Sequence, residues 1–97
     1  MFRSLDELLP NSLRKAGAER QVKAAMVIAA AEAALADQFG AELSGYMRPT
    51  TFRNGAVTVR CTRAAYAQEI ALHEVDILAR LAERLGQGIV SRLRPVS

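Results

Sequence analysis

Apolar and polar residues alternate with helical spacing at the start of the chain. Ser4 and Glu7 match a capping box, in which each side chain satisfies a backbone N–H of the first helical turn. The leucines that follow recur every three to four residues, which is typical of an amphipathic helix. Pro10 interrupts this segment, so the sequence predicts two short helical pieces that end near Gly17.

A second helix is predicted from Glu19 to Phe39 and is closed by Gly40. Its many alanines allow a close approach to another element, which favours a buried core helix. The helical period gives one apolar stripe and a neighbouring one: Val22, Met26, Ala29, Ala33 and Ala36, then Ile28, Leu35 and Phe39.

Between Tyr46 and Thr62 the apolar period changes to two, which is the period of a β-strand. The central dipeptide Asn54-Gly55 has the chemistry of a type I′ turn, so this region is predicted to form a β-hairpin. Its core face contains Phe52, Val57, Val59 and Cys61, and its solvent face contains Thr51, Arg53, Thr58, Arg60 and Thr62.

After the hairpin, Thr62 is predicted to cap a third helix that runs to about Leu85 and ends at Gly86. The tail from Gly88 to Val96 alternates again and is predicted to be a third strand. The buried stripe of the helix is Ala67, Ile70, Ala71, Ile77, Leu78, Leu81 and Leu85.

The element order is therefore helix, helix, strand, strand, helix, strand. This order predicts an α+β fold, a two-layer sandwich whose three-stranded sheet carries its helices on one face. A chain of 97 residues is long enough for a single domain, which we expect to span residues 1–97.

Positive charge is concentrated on the predicted strands. The net charge of the chain is +3. Residues 46–63 carry a charge of +4 and contain no acid, whereas residues 21–45 and residues 64–85 each sum to −2. The basic residues of the strand regions are Arg48, Arg53, Arg60, Arg63, Arg92 and Arg94.

An arginine-rich sheet face interleaved with threonine hydroxyls is suited to phosphate groups, so these six arginines are candidate nucleic-acid-binding residues. No aromatic ring is predicted on this face, so it supports phosphate contact without base stacking. The alternative interpretation is equally simple: charged residues on a small sheet keep it soluble and prevent edge pairing.

The sequence offers no catalytic or metal-binding set. His73 has no second histidine or cysteine nearby, and it is expected to be a surface or structural residue. Cys61 is the lone cysteine and is expected to be a buried, inert thiol, which fits a reducing cytoplasm. We predict no enzyme activity, metal, cofactor, membrane span or secretion signal.

Several segments together resemble the DciA-like family of bacterial proteins, which is tied to the replicative helicase. The resemblance covers nearly the whole chain and rests on the order of four segments rather than on any one of them. They are residues 5–10 (LDELLP), residues 53–59 (RNGAVTV), residues 65–70 (AYAQEI), and the stretch from Leu78 through Gly86 to the Arg92-Leu93-Arg94 strand.

The resemblance implies a KH-like fold and a non-enzymatic role in bringing a DnaB-type helicase onto DNA. It also implies affinity for DNA, which we expect to be weak and to act mainly through phosphates. Tyr66, Gln68 and Glu69 are candidates for contact with a partner protein, because an aromatic beside polar groups suits an interface. They could equally be structural, with Tyr66 on the sheet and the other two near the helix N-terminal dipole.

Two other functions stay open from the residues alone. One is a KH-like nucleic-acid module, including one for structured RNA. The other is a protein-interaction domain that uses its acidic helices and binds no nucleic acid.

Overall fold

The computed structural model describes the backbone of residues 11–97 and the side chains from Gly17 onward. The predicted capping box at Ser4 and the break at Pro10 lie outside the described residues. The elements are α1 (Asn11–Phe39), α2 (Ala41–Ser44), β1 (Met47–Arg53), β2 (Ala56–Cys61), α3 (Ala64–Leu72), α4 (Glu74–Leu85) and β3 (Arg92–Val96).

The three strands form one sheet in the order β1-β2-β3. The hairpin strands β1 and β2 are antiparallel, with a bulge between Pro49 and Thr51, whereas β3 runs parallel to β2. Helices pack on one face of this sheet, and the opposite face, here called the outer face, is open among the described residues. The α+β class and the element order predicted from the sequence are confirmed; the KH-like classification stays a prediction.

The core lies between the inner face of the sheet and helices α1, α3 and α4. Central strand β2 contributes Val57 and Val59, which are fully buried, as the alternating pattern predicts. The largest fully buried side chains on the helices are Val27, Leu35, Ile70, Ile77 and Leu81.

The hairpin turn has the predicted geometry. Asn54 and Gly55 both have positive φ angles, 50° and 79°, as a type I′ turn requires. The Gly55 carbonyl accepts hydrogen bonds from the backbone N–H groups of Ser91 (2.7 Å) and Arg92 (3.2 Å), so the turn also fixes the start of β3.

Two glycine-to-alanine substitutions are expected to change stability in opposite directions. A Cβ atom at Gly55 would meet Ser91 Oγ at 2.6 Å on a backbone with φ of +79°, so Gly55→Ala is expected to lower the free energy of unfolding by about 1–3 kcal/mol. Gly17 lies within α1 with open space around it, and Gly17→Ala is expected to raise stability by about 0.5–1 kcal/mol. Urea denaturation of both variants measures the two changes; a gain for Gly55→Ala would contradict the turn geometry.

The boundary predicted near Gly17 is wrong, because α1 runs through this glycine without a break. A single glycine inside a helix costs only about 1 kcal/mol relative to alanine, which neighbouring helix formers and tertiary packing outweigh. Residues 11–16 are thus the first part of the same helix.

The buried stripe predicted on this helix is also wrong at its amino-terminal end. Val22 and Met26 are each 59% exposed, and the buried residues are Val27, Ala31, Ala34 and Leu35. A 29-residue helix is about 43 Å long, whereas a seven-residue strand spans about 23 Å. The sheet therefore covers only the carboxyl-terminal half of α1.

The predicted third helix is divided at His73, whose backbone (φ −107°, ψ 18°) is not helical. The division lets α3 pack on β2 and β3 while α4 turns to pack on α1. At the break, the Glu74 carboxylate accepts a hydrogen bond of 2.8 Å from the Leu93 backbone N–H, which satisfies this one donor of β3.

Two smaller boundaries also differ from the prediction. The N-cap of α3 is Arg63 rather than the predicted Thr62, and its side chain makes no capping hydrogen bond. Thr62 instead belongs to the end of the hairpin, where its N–H donates to the Tyr46 carbonyl at 3.2 Å. Strand β3 begins at Arg92 rather than Gly88, because Gly88 has a φ of 79°, which is not a strand conformation. Val90 and Leu93 are both buried, whereas strict alternation from Gly88 would put them on opposite faces of the strand.

Candidate nucleic-acid interface

The strand register arranges the outer face as a small grid of side chains. Three rows cross the sheet from β1 through β2 to β3: Arg53, Ala56 and Arg92; Thr51, Thr58 and Arg94; and Arg48, Arg60 and Val96. Neighbouring strands are about 4.8 Å apart, and successive side chains on one face are about 7 Å apart along a strand. Five of the six candidate arginines therefore share one surface, and all five are exposed.

Arg63, the sixth candidate, lies outside the grid. It is exposed and occupies the position just before α3, beyond the end of β2. The structure therefore places it next to the outer face, at the end where Arg48 and Arg60 lie, rather than within the rows.

The grid contains no carboxylate. Among the described residues, the ion pairs are Arg84 with Asp37 (2.9 Å) and His73 with Glu69 (3.5 Å), and both lie in the helical layer. Arg48 and Arg60 are directly opposite each other, an arrangement of like charges that is unfavourable in an antiparallel sheet. A bound anion would offset this repulsion, so the charge pattern suits a polyanionic ligand.

Further cations border the grid at the hairpin end. Arg20 and Lys23 of α1 line an open cavity of about 760 Å³ together with Arg53, Asn54 and Ser91. At the opposite end, Glu32 and Arg48 line a smaller cavity of about 270 Å³. Positively charged side chains thus continue beyond the outer face toward the hairpin turn.

A pair of stacked tyrosines lies at the other end of the sheet. The rings of Tyr46 and Tyr66 have centroids 5.6 Å apart and planes inclined by 13°. The strand pattern predicts no aromatic ring on the basic face, and Tyr46 stands at the edge of the predicted hairpin. Tyr46 lies in the turn just before β1, two residues ahead of Arg48, so the strand pattern gives no signal for the position of its ring.

The three candidate partner-binding residues are close in sequence on α3 but differ in exposure. Tyr66 is half-buried and packs against the core. Gln68 and Glu69 are exposed, and Glu69 lies within ion-pair distance of His73.

The two residues with reactive side chains are placed as the sequence predicts. Cys61 is buried, and desolvation raises the pKa of its thiol, which disfavours the nucleophilic thiolate. His73 is partly buried, and its ring meets the edge of Phe39 with centroids 5.6 Å apart. Within residues 17–97, no three His, Cys, Asp or Glu side chains are grouped as metal ligands would be.

None of the helices in the described part of the chain is long and apolar enough to cross a membrane.

Comparison with known proteins identifies one family over most of the chain. The family model described as "Dna[CI] antecedent, DciA" matches residues 4–94, which include every strand of the sheet except the end of β3. A UPF0232 protein of Rhodococcus jostii (strain RHA1) is 31% identical over 55 residues, a segment that covers 57% of this chain and 29% of that protein. The resemblance noted from the sequence motifs is confirmed.

Proposed function

The chain belongs to the DciA family, which is associated with loading of the DnaB-type replicative helicase, and on this premise we propose that it is a non-enzymatic DNA-replication accessory that helps this helicase onto DNA. The observation that carries the proposal is the family match over residues 4–94. This match includes both the hairpin and the helices behind it, so it applies to the folded unit rather than to one motif. The proposed place of action is the cytoplasm, where the chromosome is replicated.

The proposed DNA contact is the outer face of the sheet. Its support is the register that brings Arg48, Arg53, Arg60, Arg92 and Arg94 together with Arg63 beside them and no acid among them. Guanidinium groups donate paired hydrogen bonds to phosphate oxygens, and contacts of this kind carry no sequence information. We therefore expect weak DNA binding that depends steeply on salt concentration.

The proposed helicase contact is the exposed surface of α3 around Gln68 and Glu69, with Tyr66 beside it. The support is that Gln68 and Glu69 are exposed on α3 in the helical layer, whereas five of the six arginines lie on the sheet. One domain could thus hold DNA and helicase at the same time on different surfaces. An accessory that brings the two together needs such an arrangement.

Two alternatives keep specific support. The arginine face also suits structured RNA, because phosphates are common to both nucleic acids. A pure protein-interaction role is favoured by the exposed apolar residues Leu72 and Val75, which are 75% and 80% exposed at the junction of α3 and α4. The first alternative requires binding that falls with salt, whereas the second requires binding that survives changes on the sheet.

The experiment that separates these functions is an affinity pull-down of the tagged full chain from native extract, with and without nuclease, read by mass spectrometry. Recovery of the replicative helicase under both conditions is the expected result and indicates direct protein contact. Recovery of only ribosomal or chromosomal proteins that vanish with nuclease would contradict the helicase proposal and favour a nucleic-acid module.

A further inference from the structure

We propose that Tyr46, stacked on Tyr66, is a platform on which an unpaired base of a single-stranded nucleic acid stacks while its phosphates lie on the arginine face. This inference rests on the proposed nucleic-acid binding and deepens it. It adds a base contact to a surface that otherwise recognises phosphate alone, and it assigns the preferred ligand as single-stranded.

The geometry of the pair leaves one ring surface available. Tyr66 covers one face of the Tyr46 ring in a nearly parallel stack, with planes inclined by 13°, yet Tyr46 is still 48% exposed. No aromatic ring of the described residues is stacked on the opposite face of Tyr46. A nucleobase on that face would extend the stack to three parallel rings.

The supporting ring is held in place by the fold. Tyr66 lies in α3 and packs against the hydrophobic core, and the Tyr46 carbonyl accepts a hydrogen bond of 3.2 Å from the Thr62 N–H. Both the backbone and the covered face of Tyr46 are therefore fixed before a ligand arrives. Preorganisation of this kind lowers the entropy cost of binding, because little freedom remains to be lost.

Two exposed arginines lie close to this platform along the chain. Arg48, the second residue of β1, follows Tyr46 by two residues, and Arg63 follows Thr62, the residue hydrogen-bonded to Tyr46. An aromatic ring beside cationic side chains is the combination by which proteins bind single strands with little sequence preference. Thr51, which is exposed, and Thr58, which is half-buried, add neutral hydrogen-bond donors between the arginines.

A duplex does not fit this platform, because its bases are already paired and stacked inside the helix. Exposing one of them would require unstacking, which costs energy that a single strand does not pay. The proposed site therefore discriminates by strandedness rather than by sequence.

The test compares two oligonucleotides of equal length: a thymidine oligomer and an abasic oligomer that has the same phosphates but no bases. Affinities are measured by fluorescence anisotropy at one salt concentration. We expect the wild-type chain to bind the thymidine oligomer roughly 5- to 150-fold more tightly than the abasic oligomer, as one stacked base provides. In Tyr46→Leu this ratio is expected to fall to about one, whereas Tyr46→Phe, which keeps the ring, retains most of it.

A second readout follows from the composition. The chain has two tyrosines and no tryptophan, so intrinsic emission comes only from the proposed platform and its support. The thymidine oligomer is expected to quench this emission, and the abasic oligomer is expected to leave it unchanged. Circular dichroism of Tyr46→Leu serves as the folding control.

The outcomes separate this inference from the function on which it rests. Equal affinity of the wild-type chain for both oligomers, with steep salt dependence, would overturn the stacking inference and leave the arginine contact standing. Absence of binding to either oligomer would overturn both. A loss of helicase affinity in Tyr46→Leu with an unchanged ratio of oligomer affinities would make the tyrosine pair a protein contact and overturn the stacking inference.

Discussion

Replacing Arg53, Arg60 and Arg92 together by glutamine is expected to reduce affinity for single-stranded DNA on the order of 100- to 1,000-fold at low salt. These arginines belong to two rows of the exposed grid, and none is part of the ion pairs within the described residues. Each one lost removes about one phosphate contact, so the slope of log affinity against log salt should become shallower by about two units. Filter binding across a salt series measures both quantities.

The matched control adds the same change in net charge elsewhere. Ala25, Ala29 and Ala79 are exposed on α1 and α4, and replacing these three alanines by glutamate also lowers the net charge by three units. If binding depends on the position of the arginines, the helical variant retains nearly the wild-type slope. Equal losses in the two triple variants would show that only total charge matters and would contradict a specific interface on the sheet.

Leu81→Ala is expected to lower the free energy of unfolding by about 2–5 kcal/mol. Leu81 lies on α4, is 1% exposed and belongs to the hydrophobic core. The substitution removes buried apolar surface and leaves a cavity that its neighbours only partly fill. In a domain of this size, the change corresponds to a fall in Tm of roughly 10 °C or more.

Leu72→Ala is the control for this prediction, because the same atoms are removed from a side chain that is 75% exposed. We expect its free energy of unfolding to stay within about 0.5 kcal/mol of the wild-type value. Thermal denaturation followed by circular dichroism compares the two variants. Similar losses at both positions would mean that Leu72 is covered in solution, most simply by a second copy of the chain.

The hairpin was the part of the fold best predicted from the sequence. The sequence features that predict it are close together in the chain. The Asn54-Gly55 dipeptide predicts the turn, and the period-two pattern predicts the pairing and the two faces of the strands next to that turn. The arginine grid followed from the same pattern, because alternation decides which side chains share a face. Two features needed the structure: the bulge between Pro49 and Thr51, without which alternation would put Arg48 on the face of Phe52, and the parallel direction of β3, which aligns Arg92 and Arg94 with the hairpin.

The helices were predicted less well, because their limits and buried sides depend on distant contacts. The burial of Val27 and the exposure of Met26 differ by one position along the chain, and helical spacing alone does not say where the sheet ends. The break at His73 likewise reflects two packing partners, the sheet for α3 and α1 for α4. No proline or glycine marks the limit of burial on α1 or the break at His73 in the sequence.

The tyrosine pair shows the same limit at the candidate site. A sequence motif marks Tyr66 as a candidate contact, whereas the role of Tyr46 depends on the fold, which brings the two rings together. The residues are 20 positions apart, and no sequence period connects a turn to the first turns of a later helix. Contacts between such segments are decided by tertiary packing.

The central claim is that this chain binds the replicative helicase directly, and isothermal titration calorimetry tests it most directly. The full chain is titrated into the cognate DnaB-type helicase in buffer free of nucleic acid, and the triple glutamine variant at Arg53, Arg60 and Arg92 is titrated in parallel. The account predicts saturable heat with similar affinity for both proteins, because the helicase contact is placed on the helical layer. No heat from the wild-type chain would contradict the account, and heat lost only in the variant would place the helicase contact on the sheet instead.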